Sequence, residues 1–63
     1  PGFKQYDRVL VRNRKQSWKI DLFSHHEQFG SYHYRTLGGY YEYCIPFDGN
    51  EHLVGKEVKD EEE

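Results

Sequence analysis

Apolar and polar residues alternate with a period of two along most of this chain, which is the spacing of a half-buried β-strand. In the segment WKIDLFS, for example, Trp18, Ile20 and Leu22 share one face. A helix would instead need apolar positions three and four residues apart. The predicted strands are Asp7–Arg12, Trp18–Ser24, Tyr32–Thr36, Tyr40–Ile45 and a short closing strand, Leu53–Lys56.

Turn-forming residues separate the predicted strands. The polar segments Asn13–Ser17 and His25–Ser31 are predicted as loops. Gly38-Gly39 fits a two-residue hairpin loop, since either glycine supplies the positive φ of a primed turn. Pro46 lacks an amide donor, so its strand should end there or lie at a sheet edge. Asp48-Gly49-Asn50 is predicted as a turn or a single helical turn.

The chain is short, so its core must come from a few large side chains. Its 63 residues include six Tyr, four Phe and one Trp. A domain of this size buries only about 60% of the surface that its unfolded chain exposes. Five short strands with turns between them predict an all-β fold. We expect a closed or nearly closed five-stranded barrel over residues 1–56, with a short helical turn before the last strand.

Charge is divided unevenly along the chain. Residues 1–36 carry seven Lys and Arg against three acidic residues, whereas residues 37–63 carry two Lys against eight acidic residues. Most of this acidity follows residue 56, where only Val58 is apolar, so residues 57–63 are predicted to be a disordered acidic tail. The sequence contains no run of about 18 apolar residues, so no membrane span is predicted. No secretory leader is expected before Phe3.

Three motifs match positions of a known fold. Val9-Leu10-Val11 matches an opening V-x-V strand, Trp18 an aromatic-led second strand, and Ile45-Pro46 followed by Leu53-Val54 a closing strand. Over about residues 3–56 the chain thus resembles SH3-like barrels of the Tudor or KOW type. The acidic loop and ALYDY start of the signalling SH3 domain are missing, so the resemblance does not imply binding of proline-rich ligands.

The end of the chain carries a second resemblance. The segment CIPFDGNEHL is similar to the CIP-aromatic-x-GNE-x-L ending of short uncharacterised bacterial and phage-type proteins. This similarity implies no known activity.

Two groups of residues have the composition of a catalytic site. Ser24-His25-His26-Glu27 contains the residue types of a hydrolytic triad, but consecutive strand residues point to opposite faces and should not converge. Glu42 and Asp48 would need a deep cleft to act as an acid–base pair, which a domain this small rarely has. We therefore expect no catalytic residues and no enzyme activity.

Metal and cofactor sites are not expected either. The potential ligands are His25, His26, His33, His52 and Cys44, and no C-x-x-C or H-x-x-x-H pair occurs among them. Cys44 lies inside a predicted strand and is expected to be a small structural side chain. A single cysteine cannot form an internal disulfide, which favours a reducing compartment and a cytoplasmic location.

The excess of aromatic residues favours a binding function. A five-stranded barrel cannot enclose eleven rings, so some must be exposed, or covered by loops, by the Phe3–Tyr6 segment or by a second copy of the chain. Exposed rings on a rigid sheet offer large contact area at little entropic cost. We predict a non-catalytic module that binds a protein or peptide. The candidate contacts are Tyr32, Tyr34, Tyr40, Tyr43 and Phe47, with Arg14 and Lys15 attracting acidic groups.

The alternative ligand is nucleic acid. Arg12, Arg14 and Lys15 cluster at the first turn, and positive charge beside aromatic rings holds single strands without reading their sequence. The net charge of −2 argues against this alternative, since nucleic-acid-binding domains are usually basic overall. Both hypotheses stay open on the sequence.

Overall fold

The fold is a single antiparallel sheet of five strands, described by a computed structural model for residues 2–56. The strands are β1 (Arg8–Arg12), β2 (Lys19–Phe29), β3 (Tyr32–Thr36), β4 (Gly39–Tyr41) and β5 (Tyr43–Pro46), followed by a 3-10 turn at Glu51–Leu53. Their order across the sheet is β4-β3-β2-β1-β5. The predicted all-β class is confirmed, but closure into a barrel is not observed, because β4 and β5 form the two edges within residues 2–56.

Two further predictions from the sequence concern a membrane span and the C-terminal residues. Within residues 2–56, no helix is long and apolar enough to cross a membrane. The acidic tail predicted for residues 57–63 lies outside the described residues.

The long strand β2 connects the two halves of the sheet. Its first part pairs with β1 and its second part with β3. The pairing with β3 slips between Phe23 and His25 and again between His26 and Phe29, which marks β-bulges that bend the strand. The loop predicted at His25–Ser31 is therefore wrong. These polar residues continue β2, and a strand can hold them because they are exposed to solvent. The turn is confined to residues 30 and 31.

The connections on either side of β4 also differ from expectation. Gly39 pairs with Thr36, so the β3–β4 loop is Leu37-Gly38 rather than Gly38-Gly39. The single strand predicted at Tyr40–Ile45 is divided by a bend at Glu42. At this bend the Glu42 amide bonds to a side chain of the β1–β2 loop instead of to a neighbouring strand.

Pro46 ends β5 at a sheet edge, as predicted. Asp48-Gly49-Asn50 forms a turn, one of the two predicted alternatives, and a separate 3-10 turn follows at Glu51–Leu53. The predicted closing strand Leu53–Lys56 is reduced to one parallel bridge between Trp18 and Val54. The part of the chain that follows β5, residues 47–56, is thus an irregular segment rather than a strand, and is here called the crossing segment.

The core occupies one face of the sheet, here called the inner face. Val9, Val11, Phe23 and Tyr41 form its buried cluster, and Phe3, Tyr34 and Cys44 pack against it. Ile20, which shares a face with Trp18 and Leu22 in the sequence pattern, is 49% exposed, whereas Phe23 is fully enclosed. The bulges and the Phe3 segment select this face, because together they wrap the second half of the sheet and the N-terminus over Phe23.

Trp18 is also buried, but it lies outside this cluster. The outer face carries Arg8, Leu10 and Arg12. The segment after β5 crosses this face from Arg8, whose carbonyl accepts the Phe47 N–H at 3.2 Å, to Trp18, whose carbonyl accepts the Gly55 N–H at 2.8 Å. This crossing explains why Leu10 is fully buried although it points away from the core.

Candidate functional site

A groove with a volume of about 780 Å³ opens on the outer face where β1 begins. Phe3 and Tyr6 line one side, and Pro46 and Phe47 line the other. Arg8 and Leu22, which are paired across β1 and β2, lie between the two sides. Ligand sites are typically concave, mostly apolar and of this size.

A tight turn holds Tyr6 at the rim of the groove. The Asp7 N–H donates to the Lys4 carbonyl at 2.9 Å, and the Asp7 carboxylate accepts the Lys4 N–H at 2.8 Å. The Tyr6 N–H donates to the Phe23 carbonyl at 2.6 Å. Tyr6 has a φ of 71°, a left-handed conformation that costs a non-glycine residue about 1 kcal/mol. The turn therefore presents a ring that is 62% exposed at the expense of backbone strain.

The opposite side of the groove is held by a second turn. The Asn50 N–H donates to the Phe47 carbonyl at 3.0 Å, with Gly49 at a φ of 90°, and the Asn50 side-chain amide donates to the Pro46 carbonyl at 2.9 Å. The Arg8 guanidinium lies 5.1 Å from the centre of the Phe47 ring. This cation–π contact fixes the ring and orients the guanidinium.

A second group of rings, here called the hairpin cluster, lies on the β2–β3–β4 half of the sheet. The Phe29 ring is 4.9 Å from Tyr40 and 6.5 Å from Tyr32, between ring centres, with small interplanar angles. The Arg35 guanidinium lies 4.9 Å from the Tyr40 ring. Phe29 is 58% exposed, so the cluster is open to solvent.

Glu42 brings the β1–β2 loop close to the tip of this hairpin. One carboxylate oxygen accepts the backbone N–H of Arg14 at 2.8 Å, and the other accepts the Ser31 hydroxyl at 3.1 Å. Ser31 lies between Phe29 and Tyr32 in the sequence. The turn that carries Arg14 and Lys15 is therefore adjacent to the aromatic hairpin.

The structure separates the predicted contact residues into different environments. Tyr32 and Tyr40 belong to the hairpin cluster, Phe47 to the groove, and Arg14 and Lys15 to the exposed β1–β2 turn. Tyr34 is a correction: its ring packs 6.4 Å from Phe3 against the core, because it shares the inner face with Tyr41.

Arg12 and Tyr43 form a third environment. Arg12 is buried, and its guanidinium lies 4.4 Å from the Tyr43 ring and 5.1 Å from Trp18. Stacked between two rings, Arg12 serves the packing of the outer face, because a guanidinium can bury its planar faces against aromatic surface. Arg12, predicted as a ligand contact, is thus enclosed between these rings, and Tyr43 offers only the part of its ring that Arg12 leaves uncovered.

Sequence reasoning missed Tyr6, Phe29 and Arg35. Tyr6 was placed in a lead-in segment, and Phe29 in a loop, so neither had an assigned orientation. One signal was available for Phe29. It immediately precedes Gly30, and a turn at this glycine would place Phe29 at the end of a strand. No signal in the local sequence shows that Tyr6 adopts a left-handed conformation.

Ser24, His25 and Glu27 form a hydrogen-bonded chain, contrary to the expectation that their side chains diverge. Ser24 Oγ lies 2.8 Å from His25 Nδ1, and His25 Nε2 lies 2.7 Å from Glu27 Oε1. The β-bulge places Ser24 and His25 on the same face, because it adds one residue to the alternation. The histidine and the glutamate are well exposed, and the chain lies outside the groove. Water competes for every bond of this chain, which therefore gives no reason to propose catalysis.

Cys44 is half-buried beside the core cluster. Burial, and to a lesser extent the nearby charge of Asp21, raises the pKa of its thiol to about 12. A thiol with this pKa is a poor nucleophile and a poor metal ligand at neutral pH. Within residues 2–56, no three His, Cys, Asp or Glu residues are grouped closely enough to hold a metal ion.

Comparison with known proteins found no matching family model, no significantly similar curated protein and no significantly similar solved structure.

Proposed function

We propose that the protein is a small interaction module that binds an extended segment of a protein or peptide in the groove between Tyr6 and Phe47. The observation that carries this proposal is the arrangement of the two rings. Each is held by its own hydrogen-bonded turn, and they face one open groove. A turn that is ordered before binding loses little backbone entropy on contact, so the ring that it carries can contribute most of its buried area to affinity.

Polar groups of the groove suit a peptide backbone. Arg8 is stacked on Phe47 and keeps N–H donors at the edge of its guanidinium, where a carbonyl or a carboxylate can bind. Asp48 lies on the same side and is exposed, so it can accept an N–H group or pair with a basic side chain. The groove thus combines aromatic and aliphatic side chains with one cationic donor, Arg8, and two carboxylates, Asp7 and Asp48, which can orient an extended chain.

The strand order supports the narrower classification as an SH3-like barrel of the Tudor or KOW type. A meander of four strands is followed by a fifth strand that pairs beside the first, and the bent β2 belongs to both halves. The resemblance to short bacterial and phage-type proteins, the cytoplasmic location and the lack of enzyme activity remain predictions from the sequence.

The replacement Tyr6→Gly tests the groove without damaging the fold. Glycine adopts a φ of 71° without strain, so the melting temperature should stay the same or rise. Peptides would be selected from a random library on the intact chain, and their affinity measured by titration. Loss of the Tyr6 ring should weaken the best of them at least about tenfold, since aromatic hot spots commonly contribute 2 kcal/mol or more.

Tyr40→Ala serves as the matched control, because it removes a ring of the hairpin cluster and leaves the groove intact. Its peptide affinity should equal that of the parent chain. The proposal is wrong if Tyr6→Gly binds as tightly as the parent, or if Tyr40→Ala alone loses binding. An affinity that falls steeply with added salt would point to phosphate contacts instead of an apolar peptide groove.

A further inference from the structure

We propose that the hairpin cluster is a second, separate binding site, and that its ligand is single-stranded nucleic acid. This site shares no residue with the groove of the proposed function. It consists of the rings of Phe29, Tyr32 and Tyr40 with the guanidinium of Arg35, and it adjoins the turn that carries Arg14 and Lys15.

The rings form a stacking surface. Phe29 is in contact with Tyr40 at an interplanar angle of 33° and stacks near Tyr32 at 25°. Mutual contact fixes their orientation before any ligand arrives. Every nucleobase has a flat π face, so such a surface accepts bases of any sequence. Phe29 has the largest exposed fraction of the three and is the expected first base contact.

Positive charge lies at both ends of this surface. Arg35 stacks on Tyr40 at one end and can contact a phosphate while it remains on the ring. At the other end, the Glu42 carboxylate is occupied by the Arg14 N–H and the Ser31 hydroxyl, and these bonds hold the basic turn beside the hairpin tip. The carboxylate in the second part of β2, Glu27, is bonded to His25.

Basic residues are concentrated in the part of the sequence that carries most of this site. Residues 1–36 contain seven Lys and Arg against three acidic residues, while the whole chain has a net charge of −2. An acidic peptide could pair with Arg35, but it offers no planar groups at the spacing of the rings. A single strand offers both phosphates and bases, and we therefore favour it.

The test is a titration of the intact chain with a fluorescent oligo(dT) of about twelve nucleotides, within the range of site sizes known for single-strand binders. Replacing Phe29 by Ala should weaken binding about tenfold or more, since one stacked base is worth that much. Arg35→Ala should weaken binding and also flatten the salt dependence, because each phosphate contact contributes about 0.7 to the slope of log affinity against log salt.

Tyr6→Gly is the matched control, since it removes an exposed ring from the groove and should leave oligo(dT) affinity unchanged. A failure of this site therefore does not affect the peptide groove, and the reverse also holds. Three results would overturn the inference: no binding of oligo(dT) at low salt, equal loss of binding in Tyr6→Gly and Phe29→Ala, or tighter binding of a poly-glutamate peptide than of oligo(dT). Circular dichroism of each variant shows that a loss of affinity does not come from unfolding.

Discussion

Asn13 and Glu42 connect two distant turns directly, since the side-chain oxygen of Asn13 accepts the Glu42 backbone N–H at 2.9 Å. In return, the Glu42 carboxylate accepts the N–H of Arg14, the residue after Asn13, at 2.8 Å. These bonds replace the ladder bonds that an uninterrupted strand would have made at Glu42. The bend between β4 and β5 is therefore stabilised from the β1–β2 loop.

Replacing Glu42 by Ala should lower the free energy of unfolding by about 1–3 kcal/mol, because it removes the acceptor for two donors and frees both turns. Urea denaturation with an unchanged m-value measures this loss. Glu27→Ala is the control, since the Glu27 carboxylate is exposed and bonds to His25 at the surface; it should cost less than about 1 kcal/mol. Equal effects of the two replacements would contradict the role of Glu42.

Trp18→Ala should lower the free energy of unfolding by about 3–5 kcal/mol, which is comparable to the whole stability of a domain this small. The ring is 9% exposed, stacks on Arg12 and holds the crossing segment through the bridge to Val54. Ile20→Ala, at a half-exposed position two residues away, should cost far less. Thermal melting of the two variants makes the comparison. A Trp18→Ala variant with the melting temperature of the parent chain would show that this placement is wrong.

Gly38→Ala should destabilise the protein by about 1–3 kcal/mol, because an added Cβ would lie 2.5 Å from a carboxylate oxygen of Asp21. That oxygen accepts the hydroxyl of the buried Thr36 at 2.7 Å, so it cannot move away without breaking a bond. Gly2→Ala provides the control, as its new Cβ would meet its nearest neighbour at an ordinary 3.8 Å. Similar denaturation midpoints for the two variants would exclude a close approach at Gly38.

The Cys44 thiol should react slowly with thiol reagents in the folded protein. With its pKa raised from 9.0 to about 12, the thiolate fraction at pH 8 is lower by roughly a thousandfold. Because folding favours the neutral thiol, its contribution to stability is complete below pH 9 and is lost as the pH rises toward 12. Labelling rates with and without denaturant measure the effect. Equally fast labelling in both conditions would contradict the burial of Cys44.

Three of the five strands, β1, β2 and β3, were predicted at their positions. The predicted fourth strand corresponds to two strands, β4 and β5, and the predicted closing strand is reduced to a single bridge. The bounds predicted for β3 agree with the structure, and those for β1 differ by one residue, because alternation in these short segments is regular. β2 was predicted five residues too short at its C-terminal end. Its bulges break the period of two, and a polar exposed strand has the composition of a loop.

The binding surfaces were predicted less well than the fold. Of the tyrosines predicted as ligand contacts, Tyr32 and Tyr40 belong to the hairpin cluster, whereas Tyr34 is partly buried against the core. Which tyrosine points inward depends on long-range pairing, and alternation alone cannot assign an absolute face. The groove depends on Tyr6, whose orientation comes from a left-handed backbone conformation that local sequence does not specify.

The bulge at Ser24 has a consequence for every residue that follows it in β2. It acts as a phase shift: upstream of it odd-numbered residues point to the core, and immediately downstream His26 occupies the same side as Tyr34. Deleting this one serine would restore alternation only as far as the second bulge, between His26 and Phe29, and would exchange the faces of the residues between the two bulges. Chain length at this position, rather than any side chain, thus decides which surface the protein presents to its surroundings.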